Sequence, residues 1–268
     1  MRSHAARLRI LAVALSLGLL SLLITMAALL WNDKRSNPDS VRVEDAETTI
    51  STIKIAREGF SDIILHRRGD QWEMAAPCVL PINEQRLTPL LTALQPAAHN
   101  YQATEVDLDA AGLTPAQTTV FLGDTRIDLG NADLQGTRRY SLRDKRVVQF
   151  VPDWVFSLVN GGISAFAELA PFGPELSELA LAGHPPASAS ERLSWQALNA
   201  QQIIEMSALN LKQDEPEQQI VATVDGKAQT VNIYTHENFV ALHPADTACA
   251  YILPPGTLPR DQDSVSSQ

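Results

Sequence analysis

Ser51-Thr52-Ile53-Lys54 sets a serine and a lysine three positions apart, the spacing of the serine–lysine pair in penicillin-binding enzymes. That chemistry needs the serine at a helix start, with the amine one turn on to take the hydroxyl proton. Ile50, Ile53 and Ile55 read as a strand instead. No Ser-Asp-Asn or Lys-Thr-Gly element follows, so no catalytic role is assigned. His236-Glu237 opens a zinc-protease pattern, but Val240 stands where the second histidine belongs and His243 lies too far along. The six histidines, at 4, 66, 99, 184, 236 and 243, show no ligand spacing. Asp107-Leu108-Asp109 lacks the further oxygens and the glycine of a calcium loop, and reads as a solvated turn before Gly112. There is no glycine-rich phosphate loop and no nucleophile elbow. The sequence therefore assigns no catalytic residue, metal ligand or cofactor contact.

Two features stay open. Arg138-Arg139-Tyr140 is the densest basic and aromatic spot, and arginine grips carboxylates and phosphates bidentately. It is the candidate binding surface, unless these arginines face solvent or pair with the chain's own acids. Cys78 and Cys249 are the two cysteines. In an oxidising compartment they are a candidate disulfide; the alternative is two separate buried thiols that act as small apolar residues.

Composition narrows the class. The 268 residues carry 31 acids against 21 bases, a net charge of −10, with 45% apolar and 19% charged types. That is too apolar for a disordered chain and too acidic for a phosphate-binding surface, so no nucleic-acid partner is expected. Two cysteines exclude a small disulfide scaffold and a Cys-rich metal module.

Ile10 to Trp31 is free of charge and hydrophobic all round. As a helix these residues span about 33 Å, enough for a hydrocarbon core of about 30 Å. A cleaved signal peptide is the alternative, but Thr25-Met26-Ala27 is a poor cleavage site. Arg2, Arg7 and Arg9 precede the run, which places the N-terminus in the cytoplasm. All acids and 18 of the 21 bases follow it. The expectation is a single-pass (bitopic) protein of a bacterial inner membrane, held in the lipid bilayer by its N-terminal helix, with a strongly acidic periplasmic domain.

The expected organisation is a cytoplasmic stub and transmembrane helix over 1–31, a polar linker over 32–47, a first module over 48–170, a Pro-rich linker over 171–190, a second, smaller module over 191–256 and a loose tail over 257–268. Alternating apolar runs predict strands near 53–55, 63–67, 120–122, 127–129, 140–142, 147–151, 220–224, 231–234, 239–242 and 248–253. Gly123-Asp124 and Asp225-Gly226 predict tight hairpins. Leu87, Leu90, Leu91 and Leu94 form one helical stripe within Asn83–Gln95, with Pro89 either kinking the helix or lying in a first turn that starts at Thr88. A second helix is expected at 199–208, after Trp195, as the first follows Trp72. The fold class is α+β: antiparallel sheets each with a packed helix. The parallel order of elements suggests an internal repeat; one continuous α+β domain is the alternative.

Trp72, Pro77, the Leu-rich helix, AGLTPAQTTVFLG at 111–123, IDLG at 127–130, RRYSL at 138–142 and VVQFVPD at 147–153 together resemble a bacterial domain-of-unknown-function family, the one numbered 4340. The resemblance covers about 50–160 well and the last third loosely. It implies a membrane-anchored envelope protein, and for some members an association with ABC-type export or gliding-motility transporters. It carries over no catalytic residues. The expected function is a non-enzymatic accessory or adaptor protein with a membrane partner. A small-molecule or lipid-binding module is the alternative, and an envelope hydrolase gathering His66, His99 or Asp128 in a cleft comes third.

Overall fold

Turn residues set the hairpins, and the hairpins set the sheets. Gly123 adopts φ +58°, and Asp225 and Gly226 adopt +50° and +70°, the left-handed values a two-residue hairpin turn requires. In the computed structural model, which describes residues 50–209, 211 and 216–259, both turns join directly paired strands, Leu122 facing Thr125 and Val224 facing Lys227. The apolar run 10–31, the linker 32–47 and the end of the tail lie outside the described residues. Among the described residues no helix is long and apolar enough to cross a membrane. The described residues fall within one compact unit.

The first sheet contains β1 (Thr52–Arg57), β2 (Ile63–Arg68), β3 (Gln71–Ala76), β4 (Leu80–Pro81), β5 (Tyr101–Gln102), β6 (Thr118–Leu122), β7 (Thr125–Ala132), β8 (Arg138–Arg143) and β9 (Val147–Pro152). Its order is β4-β3-β2-β1-β6-β7-β8-β9-β5, with every pair antiparallel. The second contains β10 (Leu176–Leu181), β11 (Gln202–Glu205), β12 (Gln218–Val224), β13 (Lys227–His236), β14 (Phe239–Pro244) and β15 (Cys249–Leu253). Its order is β10-β12-β13-β14-β15-β11, again antiparallel throughout. Among the described residues three short α-helices accompany them: α1 (Leu87–Ala93), α2 (Asp153–Asn160) and α3 (Ala189–Gln196). The protein is thus α+β, two antiparallel sheets with few helices.

Strand alternation fills the core. Ile53 and Ile55 of β1 are fully buried, facing Leu65 and Ile63 on one side and Leu122 and Val120 on the other. Each such side chain removed from water contributes about 1.5–3 kcal/mol. The Leu87, Leu90, Leu91 and Leu94 stripe is buried in the same cluster. So are Ile220, Ala222, Val231, Ile233, Val240 and Leu242 of the second sheet, and both sheets therefore turn one face to a shared core. Pro89 sits in the first turn of α1, where its missing N–H costs nothing. The helix begins at Leu87, after a 3-10 turn over Glu84–Arg86, and Asn83 makes no side-chain cap.

The segment 171–190 is not a linker. Its middle is β10, an edge strand whose Leu176 and Leu179 are buried, and its prolines flank the strand rather than interrupt it. The expected helix at 199–208 is also corrected. Residues 202–205 form β11, paired with β15, and 206–208 a 3-10 turn. Ile203 and Ile204 are β-branched neighbours and suit a strand. The helix lies earlier, at α3, where Ser188 accepts from the Glu191 amide and Glu191 accepts from the Ser188 amide in a capping box. Trp195 is inside that helix, whereas Trp72 lies in β3.

Candidate functional site

The segment 164–169 joins the two sheets. Toward the first sheet, the Asn83 amide donates to the Phe166 carbonyl at 2.8 Å, the Glu168 amide to the Pro81 carbonyl at 2.9 Å, and Arg86 Nη1 to the Ala165 carbonyl at 2.9 Å. Toward the second, the Ala200 amide donates to the Leu169 carbonyl at 2.8 Å and the Ile203 amide to Ser164 Oγ at 2.7 Å. Phe166, fully buried, fills the space beneath. Cys78 and Cys249 are bonded in this same core, with Cα atoms 5.9 Å apart and both side chains almost wholly excluded from water. The bridge ties the chain just before β4 to the start of β15, and so crosses from one sheet to the other.

Arg138 and Tyr140 share one face of β8 and Arg139 takes the other. Successive residues of β8 point to opposite faces of the sheet. Arg138 pairs with Asp133 at 3.0 Å and lies over the Phe150 ring. Arg139 binds Asp153 at 2.9 Å and the Gly130 carbonyl at 2.6 Å, with its guanidinium 3.7 Å from the centre of the Phe156 ring on α2. Tyr140 packs on Phe150, ring centres 4.7 Å apart. Both guanidinium groups pair with the chain's own acids, Arg138 at the surface and Arg139 largely buried.

The other candidates are dispersed. Lys54 lies in β1 and pairs with Asp62 at 2.7 Å, and the Ser51 carbonyl accepts from the Arg67 amide. Three positions along a strand lead to opposite faces, so Ser51 and Lys54 have no helical relation. His66 meets Thr52 Oγ1 at 3.1 Å, His99 is exposed, and His236 stacks on Phe239. His243 Nε2 lies 2.8 Å from the Thr247 carbonyl. Asp107 accepts from the Ala110 amide in a turn. Among the described residues no three His, Cys, Asp or Glu side chains group as metal ligands.

The structure shows the setting of Asp128, named above only for a hydrolase cleft, and adds Arg143, Gln149 and Arg57, which motif spacing did not single out. Asp128 is buried, accepting from Thr119 Oγ1 at 2.6 Å and from Arg126 Nε at 3.0 Å, and this hydrogen bond holds the Arg126 guanidinium above its ordinary value. Arg143 donates to the Leu94 carbonyl at the end of α1, and burial pushes its guanidinium below the ordinary value. Gln149 completes that clamp by donating to the Gln95 carbonyl and accepting from the Ala97 amide. Burial also lowers Arg57, against the pull of Glu205 from the second sheet and of Asp62. The signal for Asp128 was present, an acid flanked by Ile127 and Leu129 in an alternating run, although alternation alone assigns such a residue to the solvent face. An open groove of about 600 Å³ lies along β10 and β12, lined by Leu181, Ala182, His184 and residues 216–219.

The chain matches no family model, no curated protein and no solved structure. The resemblance over 50–160 stands on its turns and apolar positions alone.

Proposed function

We propose that this is a membrane-anchored accessory protein of the bacterial envelope, non-enzymatic, with its sheet domain on the oxidising side of the inner membrane and an ABC-type transporter as its partner. The observation that carries the reading is the Cys78–Cys249 bridge. It is buried, it lies between two sheets, and disulfides of this kind form in exported rather than cytosolic proteins. The uncharged run 10–31, with Arg2, Arg7 and Arg9 and no acid before it, and Asp33, Lys34 and Arg35 after it, supplies the anchor and the orientation. Anchoring raises the local concentration of the domain near another membrane component, which turns a weak contact into an effectively intramolecular one. The two-module origin belongs to the same reading. The order β1-β6-β7-β8-β9-β5 has the same connectivity as β10-β12-β13-β14-β15-β11, with α1 and α3 preceding β5 and β11, and with β2 to β4 as an insertion in the first copy.

An alkaline phosphatase fused to the C-terminus tests the topology: activity in intact cells is expected, and activity confined to the cytosol refutes it. Crosslinking in intact membranes tests the partner. Recovery of a transporter subunit is the expected result, and recovery of the uncrosslinked chain alone overturns the adaptor role. The second reading, a small-ligand module, would use the β10–β12 groove, whose volume lies in the range of about 300–1,000 Å³ usual for ligand sites.

A further inference from the structure

Three bulky apolar side chains stand in water at one end of the first sheet. Phe60 is 70% exposed, Leu134 fully exposed and Trp154 43% exposed. Strand register places them at the same end. Arg57 faces Thr118, Thr118 faces Leu129, Ala132 faces Arg139, and Arg138 faces Pro152. The β1–β2 loop, the β7–β8 turn and the first turn of α2 therefore emerge at the same end. Each is held rigid. The Arg57 guanidinium lies 5.1 Å from the centre of the Phe60 ring and donates to the Ser61 carbonyl. Asp133 accepts from the amides of Thr137 and Arg138 and pairs with the Arg138 guanidinium across the turn that carries Leu134. Asp153, beside Trp154, pairs with Arg139 and donates its amide to the Thr137 carbonyl.

We propose that this end dips into the interfacial layer of the bilayer that anchors the chain, a step that rests on the anchor reading above. The charge pattern suits that occupant. Lys54–Asp62, Arg138–Asp133 and Arg139–Asp153 are closed pairs, and the Arg57 guanidinium has Glu205 and Asp62 near it, so the charges at this end are largely paired on a chain of net charge −10. Trp, Phe and Leu are the apolar residues that enter a membrane interface. A bilayer needs no matched surface, and the tether supplies the concentration. The chain enters β1 at the opposite end of the sheet. Even so, the 20 residues from Asn32 to Ser51 reach about 70 Å when extended, against about 20 Å for the six residues of β1.

The test uses the full chain in phosphatidylcholine vesicles, carrying Leu134→Cys or, at the opposite end, Asp124→Cys, each labelled with an environment-sensitive fluorophore. The probe at 134 should shift to the blue and lose most of its emission to brominated lipid, while the probe at 124 stays in water. Phe60→Ser and Trp154→Ser should each weaken the signal at 134. Added phosphatidylglycerol should weaken it too, because the acidic body repels an anionic surface. A probe at 134 that stays in water, or equal quenching at both positions, overturns the proposal. Flotation after an alkaline carbonate wash separates the two claims. Chains that float with an unquenched 134 probe leave the anchor standing and refute the docking; chains that do not float refute both.

Discussion

Replacing Cys78 and Cys249 together by alanine removes a crosslink across 171 positions. Both sulfurs lie in the packed core, and alanine in their place deletes little volume, so the folded contacts change by about 1 kcal/mol. The larger effect is on the unfolded chain, which regains the freedom of a long loop. Loop-closure entropy puts that at about 5 kcal/mol. With a urea dependence of about 2–3 kcal/mol per molar for a domain of this size, the midpoint should fall by about 2 M, and the slope should steepen because the unfolded chain expands. Urea titrations followed by tryptophan fluorescence on oxidised, reduced and doubly substituted protein measure this directly. The single variant Cys78→Ala should match the double variant within about 1 kcal/mol, since either change opens the loop. A midpoint shift below about 0.5 M would refute the claim that the bridge restrains the unfolded state. A single variant well above the double would show that packing, not crosslinking, carries the effect.

Leu91→Asp places an unpaired carboxylate in the core that both sheets share, and should cost more than about 4 kcal/mol and abolish the melt of both sheets in one transition; separate loss of the first sheet alone, seen by hydrogen exchange, would contradict a common core. Gly130→Ala directs its new methyl into the Ala111 carbonyl and within 3.0 Å of the Leu113 side chain. Thermal denaturation should register about 2–3 kcal/mol of destabilisation, with faster amide exchange over 103–113. Burial, with Glu168 adding, pushes the Tyr251 hydroxyl from its ordinary value of 10 up to about 12. The folded state therefore keeps the proton longer than the unfolded one, so this contribution is complete below pH 10 and is lost as pH rises toward 12. Comparing wild type with Tyr251→Phe by urea titration across that window should show the variant spared about 3 kcal/mol of alkaline loss.

Features encoded by neighbours in the chain were legible in the sequence. The Asp225-Gly226 and Gly123-Asp124 turns sit between paired strands because a left-handed turn is a local requirement. The Leu87–Leu94 stripe is buried for the same reason: its spacing decides which face is apolar. Features that depend on distant partners were not legible. Residues 202–205 look capped and helical in isolation, but the pairing with β15 decides their conformation. Prolines at 171, 174, 185 and 186 suggested a linker, though they bracket a strand whose partner, β12, lies about 40 residues on. The Arg138–Arg139 pair resembled a binding surface because its partners, Asp133, Asp153 and the Gly130 carbonyl, are fixed only by the register of β7 to β9. The capping box at Ser188 and Glu191 was a local signal that prolines nearby obscured.

Residues 164–169 hydrogen-bond to both sheets, and this has a consequence for dissection of the protein. A polypeptide ending before them leaves the rim at Pro81 and Asn83 without its covering segment, while one beginning after them strips Ile203 of its acceptor. Neither half is a self-sufficient fragment, and each would display sticky backbone to its own kind. Insertions and circular permutations should therefore be placed at exposed hairpin tips such as Gly69-Asp70, where no third element depends on the backbone being continuous.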